Sequence, residues 1–118
     1  MLLSCSGGSN VGQLSNQAAI ELTQEGFGKF YCLAGIGARL AGFIQTAQKT
    51  SDLIIIDGCE IGCGKGIMNQ AGVSFENYLV LTDMGIQKNK NFNLNREDIN
   101  KVKAAVKTVF EKKEKQPA

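Results

Sequence analysis

Along the chain, short continuous apolar runs alternate with longer stretches whose apolar positions recur every three or four residues. The first pattern is that of a strand, the second that of one helix face. Residues 1–5 are apolar and short enough for a first strand. From Val11 a stripe runs through Leu14, Ala18 and Leu22, and Gly26 follows where a helix end favours positive φ. Residues 29–33 read as a second strand, and Ile36, Leu40, Phe43 and Ala47 as one face of a second helix. Leu53, Ile54, Ile55 and Ile56 form an unbroken aliphatic run, as a strand buried on both faces requires. A third helix fits residues 63–71, and residues 77–82 a fourth strand. The polar segment 87–93 has no clear period. A last helix is expected from an Asn95 N-cap, with Glu97 and Asp98 in its first turn and Ile99, Val102, Val106, Val109 and Phe110 on its buried stripe.

Strands alternating with helices imply parallel pairing with helices on both faces. The expectation is a single three-layer α/β domain over residues 1–111, built on a four-stranded, mainly parallel sheet, with a frayed charged tail at 112–118. A chain of 118 residues buries one core without disulfides.

Charge changes the picture little. The net charge is +2, but residues 1–86 carry four basic against seven acidic groups, net −3, and residues 87–118 nine against four, net +5. No aromatic side chains interleave with the lysines as single-strand binding would want. The basic end therefore reads as a solvated helix face, and nucleic acid is not an expected partner. An interaction module using that face is a weaker alternative. No stretch approaches the ~20 apolar residues of a membrane span. Met1 to Cys5 lacks the basic and apolar regions of a lipoprotein signal, so a cytoplasmic protein is expected.

The four cysteines matter more. In a reducing compartment they are more often ligands or redox groups than disulfides. Histidine is absent, which removes mixed cysteine–histidine zinc sites and all histidine-based nucleophilic catalysis. Cys5 closes the first expected strand, Cys32 ends the second, Cys59 follows the third by two residues, and Cys63 starts a helix. Parallel strands share a C-terminal edge, where open α/β folds bind their ligands. Strand spacing of about 4.8 Å is near the roughly 3.8 Å that separates thiolates on a tetrahedral zinc with Zn–S of ~2.3 Å. The connections are glycine-rich, which admits the tight turns that aim amides at a sulfur. Arg39 and Lys65 are candidates to compensate charge around the thiolates, and Asp57 to orient the loop by accepting backbone amides. Glu60 and Asp83 read as solvated surface groups.

Phosphate motifs fail on inspection. A P-loop would need glycine at Cys59 and a hydroxyl residue at Gly66, and a dinucleotide fingerprint from Gly35 breaks at Leu40. A cysteine-phosphatase loop from Cys5 would need arginine at Val11.

With these residues assembled, the chain resembles the DGC-domain family. The motif stands as Asp57-Gly58-Cys59, completed by Cys63, with Cys5-Ser6-Gly7, Ser9-Asn10, Gly12-Gln13 and Cys32-Leu33-Ala34-Gly35-Ile36-Gly37 in support. The likeness covers residues 2 to about 86. It implies zinc on four cysteines, at Cys5, Cys32, Cys59 and Cys63, and implies no reaction. Two functions follow: a metal-binding protein with zinc on those thiolates, or a thiol oxidoreductase or sulfur carrier with Cys63 or Cys5 as nucleophile and Cys59 as resolving thiol. An all-thiolate site would suit iron–sulfur as well. The metal ion is the one expected partner.

Overall fold

The structure, a computed structural model, describes residues 1–115, with side chains described through Lys112. Its elements are β1 (Leu2–Ser4), α1 (Asn10–Gln24), α2 (Leu33–Gly37), α3 (Ala41–Lys49), β2 (Ile54–Asp57), α4 (Cys63–Ala71), β3 (Asn77–Val80), a 3₁₀ turn (Leu81–Met84) and α5 (Arg96–Lys115). The chain is still helical at 112–115, and the remainder of the expected tail, 116–118, lies outside the described residues.

The sheet is parallel, in the order β1-β2-β3, with Leu2 opposite Ile54 and Ile54 opposite Asn77. Side chains on a strand alternate between faces, and the two cores follow that alternation. Leu2, Ile54 and Ile56 pack with α1 and α5. Leu3 and Ile55 pack with Ile36, Ala47 and Met68 on the other face. All three β2 isoleucines are fully buried, each contributing about 1.5–3 kcal/mol of burial.

Three strands stand where four were expected. Residues 29–33 make only a single parallel bridge, Phe30 to Leu2, held by Leu2 N to Lys29 O and Tyr31 N to Leu2 O. The ladder stops because the chain turns into α2 at Leu33, where Ile36 becomes a core residue. The expected second helix is likewise two. Arg39 adopts φ 61° and Leu40, the N-cap of α3, is exposed rather than on a buried stripe. The break folds α3 back so that the Phe43 ring lies against Gly35, where a Cβ would sit 2.8 Å from ring carbons. The fourth expected strand ends at Val80 and gives way to the 3₁₀ turn. Asn95 caps α5 as expected, its Oδ1 accepting the Asp98 amide at 2.7 Å. No helix among the described residues is long and apolar enough to cross a membrane.

The basic end of the chain is partly neutralised by α1. Glu21 meets Arg96 at 2.5 Å and Lys103 at 3.0 Å, and Glu25 meets Lys103 at 3.0 Å. These contacts hold the Glu21 carboxyl down at about 2, chiefly through the Arg96 hydrogen bond.

A thiol-lined cleft at the C-terminal edge of the sheet

Parallel pairing brings the ends of β1 and β2 together, and the loops beyond them must pack closely. Cys5 continues the ladder for one bond, its amide donating to Ile56 O at 2.8 Å. Two glycines then permit backbone-to-backbone approach. A Cβ on Gly12 would lie 2.6 Å from Gly7 O, and one on Gly58 2.7 Å from Gly12 N. The loop after β1, the start of α1 and the loop after β2 therefore stack with close backbone contact. Ser9 caps α1, accepting the Gly12 amide at 3.2 Å, and Ser15 Oγ donates to the Cys5 and Gly12 carbonyls.

This stacking frames a cleft of about 230 Å³ whose lining includes Cys5, Cys59, Cys63, Lys88 and Lys90. The three cysteines come from three segments: beyond β1, beyond β2, and the first turn of α4. Gly7 N lies 3.3 Å from Cys5 Sγ, and Lys88 Nζ lies 3.4 Å from Cys59 Sγ. Both donors place positive charge beside sulfur. Cys32 is not part of the lining. It is exposed, at the N-cap of α2, two residues past the Phe30–Leu2 bridge. All four cysteines are free thiols, and among the described residues no group of three or more cysteine, aspartate or glutamate side chains is arranged so as to hold a metal ion.

Asp57, at the end of β2, is buried and faces the α4 N-terminus. Its carboxylate accepts the Gly64 amide at 2.8 Å, the Lys65 amide at 3.1 Å and the Tyr78 hydroxyl at 2.7 Å. Gly62, the N-cap residue, takes φ 69° and offers no side-chain cap. Asp57 thus supplies from a strand the acceptor that an N-cap side chain would normally supply. By this means it fixes the turn that carries Cys63. Burial, and then the Asp57 hydrogen bond, push the Tyr78 hydroxyl well above the ordinary tyrosine range.

The basic residues expected from sequence and those at the cleft differ. Lys65 lies over the Tyr78 ring, 5.6 Å from its centroid, and Arg39 sits in the α2–α3 link; neither lines the cleft. Lys88 and Lys90, from the aperiodic segment 87–93, do. The missed signal was the alternation of asparagine with lysine from Lys88 to Asn91, since every second residue of an extended segment faces one way.

Comparison with known proteins agrees with these motifs. The DGC domain profile matches residues 1–106. A curated relative, the anaerobic and virulence modulator AnvM of Pseudomonas aeruginosa, is 31% identical over 88 residues, covering 75% of this chain and 67% of its own length. No solved structure matches the chain. A domain match over most of the length, carrying Asp57-Gly58-Cys59 at a strand end, places this chain in the DGC-domain family.

Proposed function

We propose that this chain is a metal-binding protein whose cysteines hold one thiophilic divalent ion, zinc, at the C-terminal edge of the sheet. The observation that carries the reading is that Cys5, Cys59 and Cys63, from three separate segments, line one cleft. Soft thiolates suit zinc, and donors already stand beside two of the sulfurs, in Gly7 N and Lys88 Nζ. As placed, the thiols are not a finished ligand cage. Binding requires their side chains to turn toward a common point, with Cys32 joining from the start of α2 as the fourth ligand. A metal held there would staple the loops after β1 and β2 to α4.

The chain's own residues prepare the site. Asp57 holds the first turn of α4 in place beneath Cys63. Gly12 and Gly58 let the Cys5 and Cys59 loops come close. A modulating role of the kind named for the Pseudomonas relative is compatible with an exchangeable site of this type. Zinc titration against a chromophoric chelator tests the reading. Serine at Cys5, Cys59 or Cys63 should abolish stoichiometric binding, and Cys32→Ser should weaken it; four variants that all bind like the parent would contradict it.

The Lys88–Cys59 contact supports a second reading, a thiol oxidoreductase or sulfur carrier, because a cation beside sulfur favours the nucleophilic thiolate. Such a protein would purify without stoichiometric metal and form a Cys59–Cys63 disulfide on oxidation.

A further inference from the structure

The cleft contains two cations that no carboxylate answers. Lys88 and Lys90 both line it, and no aspartate or glutamate does. None of the four ion pairs among the described residues includes either lysine, whereas Arg96, Lys103 and Lys107 all meet Glu21 or Glu25. The nearest carboxylate in sequence to the cleft cysteines that is also buried, Asp57, has its oxygens engaged by Gly64, Lys65 and Tyr78. The two ammoniums touch instead the Cys59 sulfur and the Gly8 carbonyl.

The backbone that carries them is held in place. Segment 87–91 has no regular structure, yet Asn10 in the first turn of α1, itself 8% exposed, holds it at three points. Asn10 Nδ2 donates to Gln87 O at 2.7 Å, Asn10 Oδ1 accepts the Asn89 amide at 2.6 Å, and Asn10 N donates to Asn89 O at 2.9 Å. Asn89 Oδ1 in turn accepts the Asn91 amide at 2.8 Å. With Asn89 and Asn91 turned toward Asn10 and Leu14, alternation sends Lys88 and Lys90 to the opposite side, over the thiols.

Two ammoniums at a concave site attract an anion. A divalent ion on the four thiolates of the proposed site carries net −2, which the two lysines cancel. Metal therefore does not turn the cleft negative, and the anion is expected to bind more tightly to the metal-free chain. We infer that the cleft binds a compact oxyanion, of the size of sulfate or thiosulfate, between Lys88 and Lys90 and beside the cysteines. The inference goes beyond the metal reading and does not depend on it.

The test is titration of thiosulfate and of sulfate into the reduced full chain, metal-free and zinc-loaded, followed by calorimetry and by amide shifts at residues 7–9. Saturable 1:1 binding of either anion is expected. It should weaken by about tenfold or more in a Lys88→Ala/Lys90→Ala variant, since charge-assisted hydrogen bonds are lost. Lys112→Ala should leave it unchanged. No saturable binding by the parent chain, or undiminished binding by the folded double variant, would overturn the inference. Zinc content read on the same samples separates the two claims: zinc retained without anion binding overturns only this one, and anion binding without zinc overturns only the metal reading.

Discussion

The Lys88 ammonium stands 3.4 Å from the Cys59 sulfur, bringing a charge from an aperiodic segment to a thiol 29 residues earlier in the chain. A cation at that distance should steer charged reagents. In the metal-free protein, Cys59 should react with anionic iodoacetate faster, relative to neutral iodoacetamide, than an unstructured cysteine does. Lys88→Ala should cut that ratio several-fold and Lys88→Arg should keep it. Mass spectrometry of Cys59 alkylation reads both, and an unchanged ratio in Lys88→Ala would remove Lys88 from the site.

Asp57 should be the polar group whose loss costs most. Asp57→Asn replaces one acceptor oxygen by a donor that faces an amide or the Tyr78 hydroxyl. A loss of about 2–3 kcal/mol is expected in denaturant unfolding. Tyr78→Phe should cost about 1 kcal/mol, and the double variant less than the sum, because the two share a hydrogen bond. In the parent protein, absorbance titration should show Tyr78 ionising above the ordinary range.

Glu21 makes stability depend on acid. Its carboxyl is held at about 2 against an ordinary 4.5, so its contribution is full above 4.5 and disappears as pH falls through 2. Its principal partner, the Arg96 side chain, is 63% exposed, so about 1 kcal/mol is the expected size at neutral pH. Glu21→Gln should therefore be less stable than the parent at pH 7, with the difference vanishing below pH 2 and shrinking at high salt. A difference that persists at pH 2 would contradict this.

Two glycine-to-alanine changes should have opposite signs. Gly42 lies in α3 with nothing within 4 Å of an added Cβ, so Gly42→Ala should stabilise by about 0.5–1 kcal/mol. Gly12→Ala forces a Cβ to 2.6 Å from Gly7 O. It should destabilise by more than about 1–3 kcal/mol and open the cleft, which faster alkylation of Cys5 would report.

Periodicity was a sound guide where an element buries one clean face. The stripe Val11, Leu14, Ala18, Leu22 and the β2 isoleucines are buried as their spacing implies. It misled where tertiary packing overrode it. The spacing of Ile36, Leu40, Phe43 and Ala47 fits one helix, but close approach of Phe43 to Gly35 requires a break, and Leu40 is left at 51% exposure. Residues 29–33 have strand composition, yet Ile36 is drawn into the core by a helix that begins too soon for a ladder to extend. That shift is also why Cys32 stands apart from the other three cysteines. At the cleft, Cys5, Cys59 and Cys63 were legible from strand ends and glycine spacing. Lys88 and Lys90 were not, because what positions them is a set of hydrogen bonds to Asn10, about 80 residues away in sequence, and the short lysine–asparagine alternation does not by itself say which face meets the cleft.

The most direct test of the central claim is metal content. Protein purified without added metal, alongside Cys59→Ser, should contain about one zinc per chain in the parent and none in the variant. No metal in the parent, with four freely titratable thiols and a Cys59–Cys63 disulfide on mild oxidation, would contradict the metal reading and leave thiol chemistry as the function of the cleft.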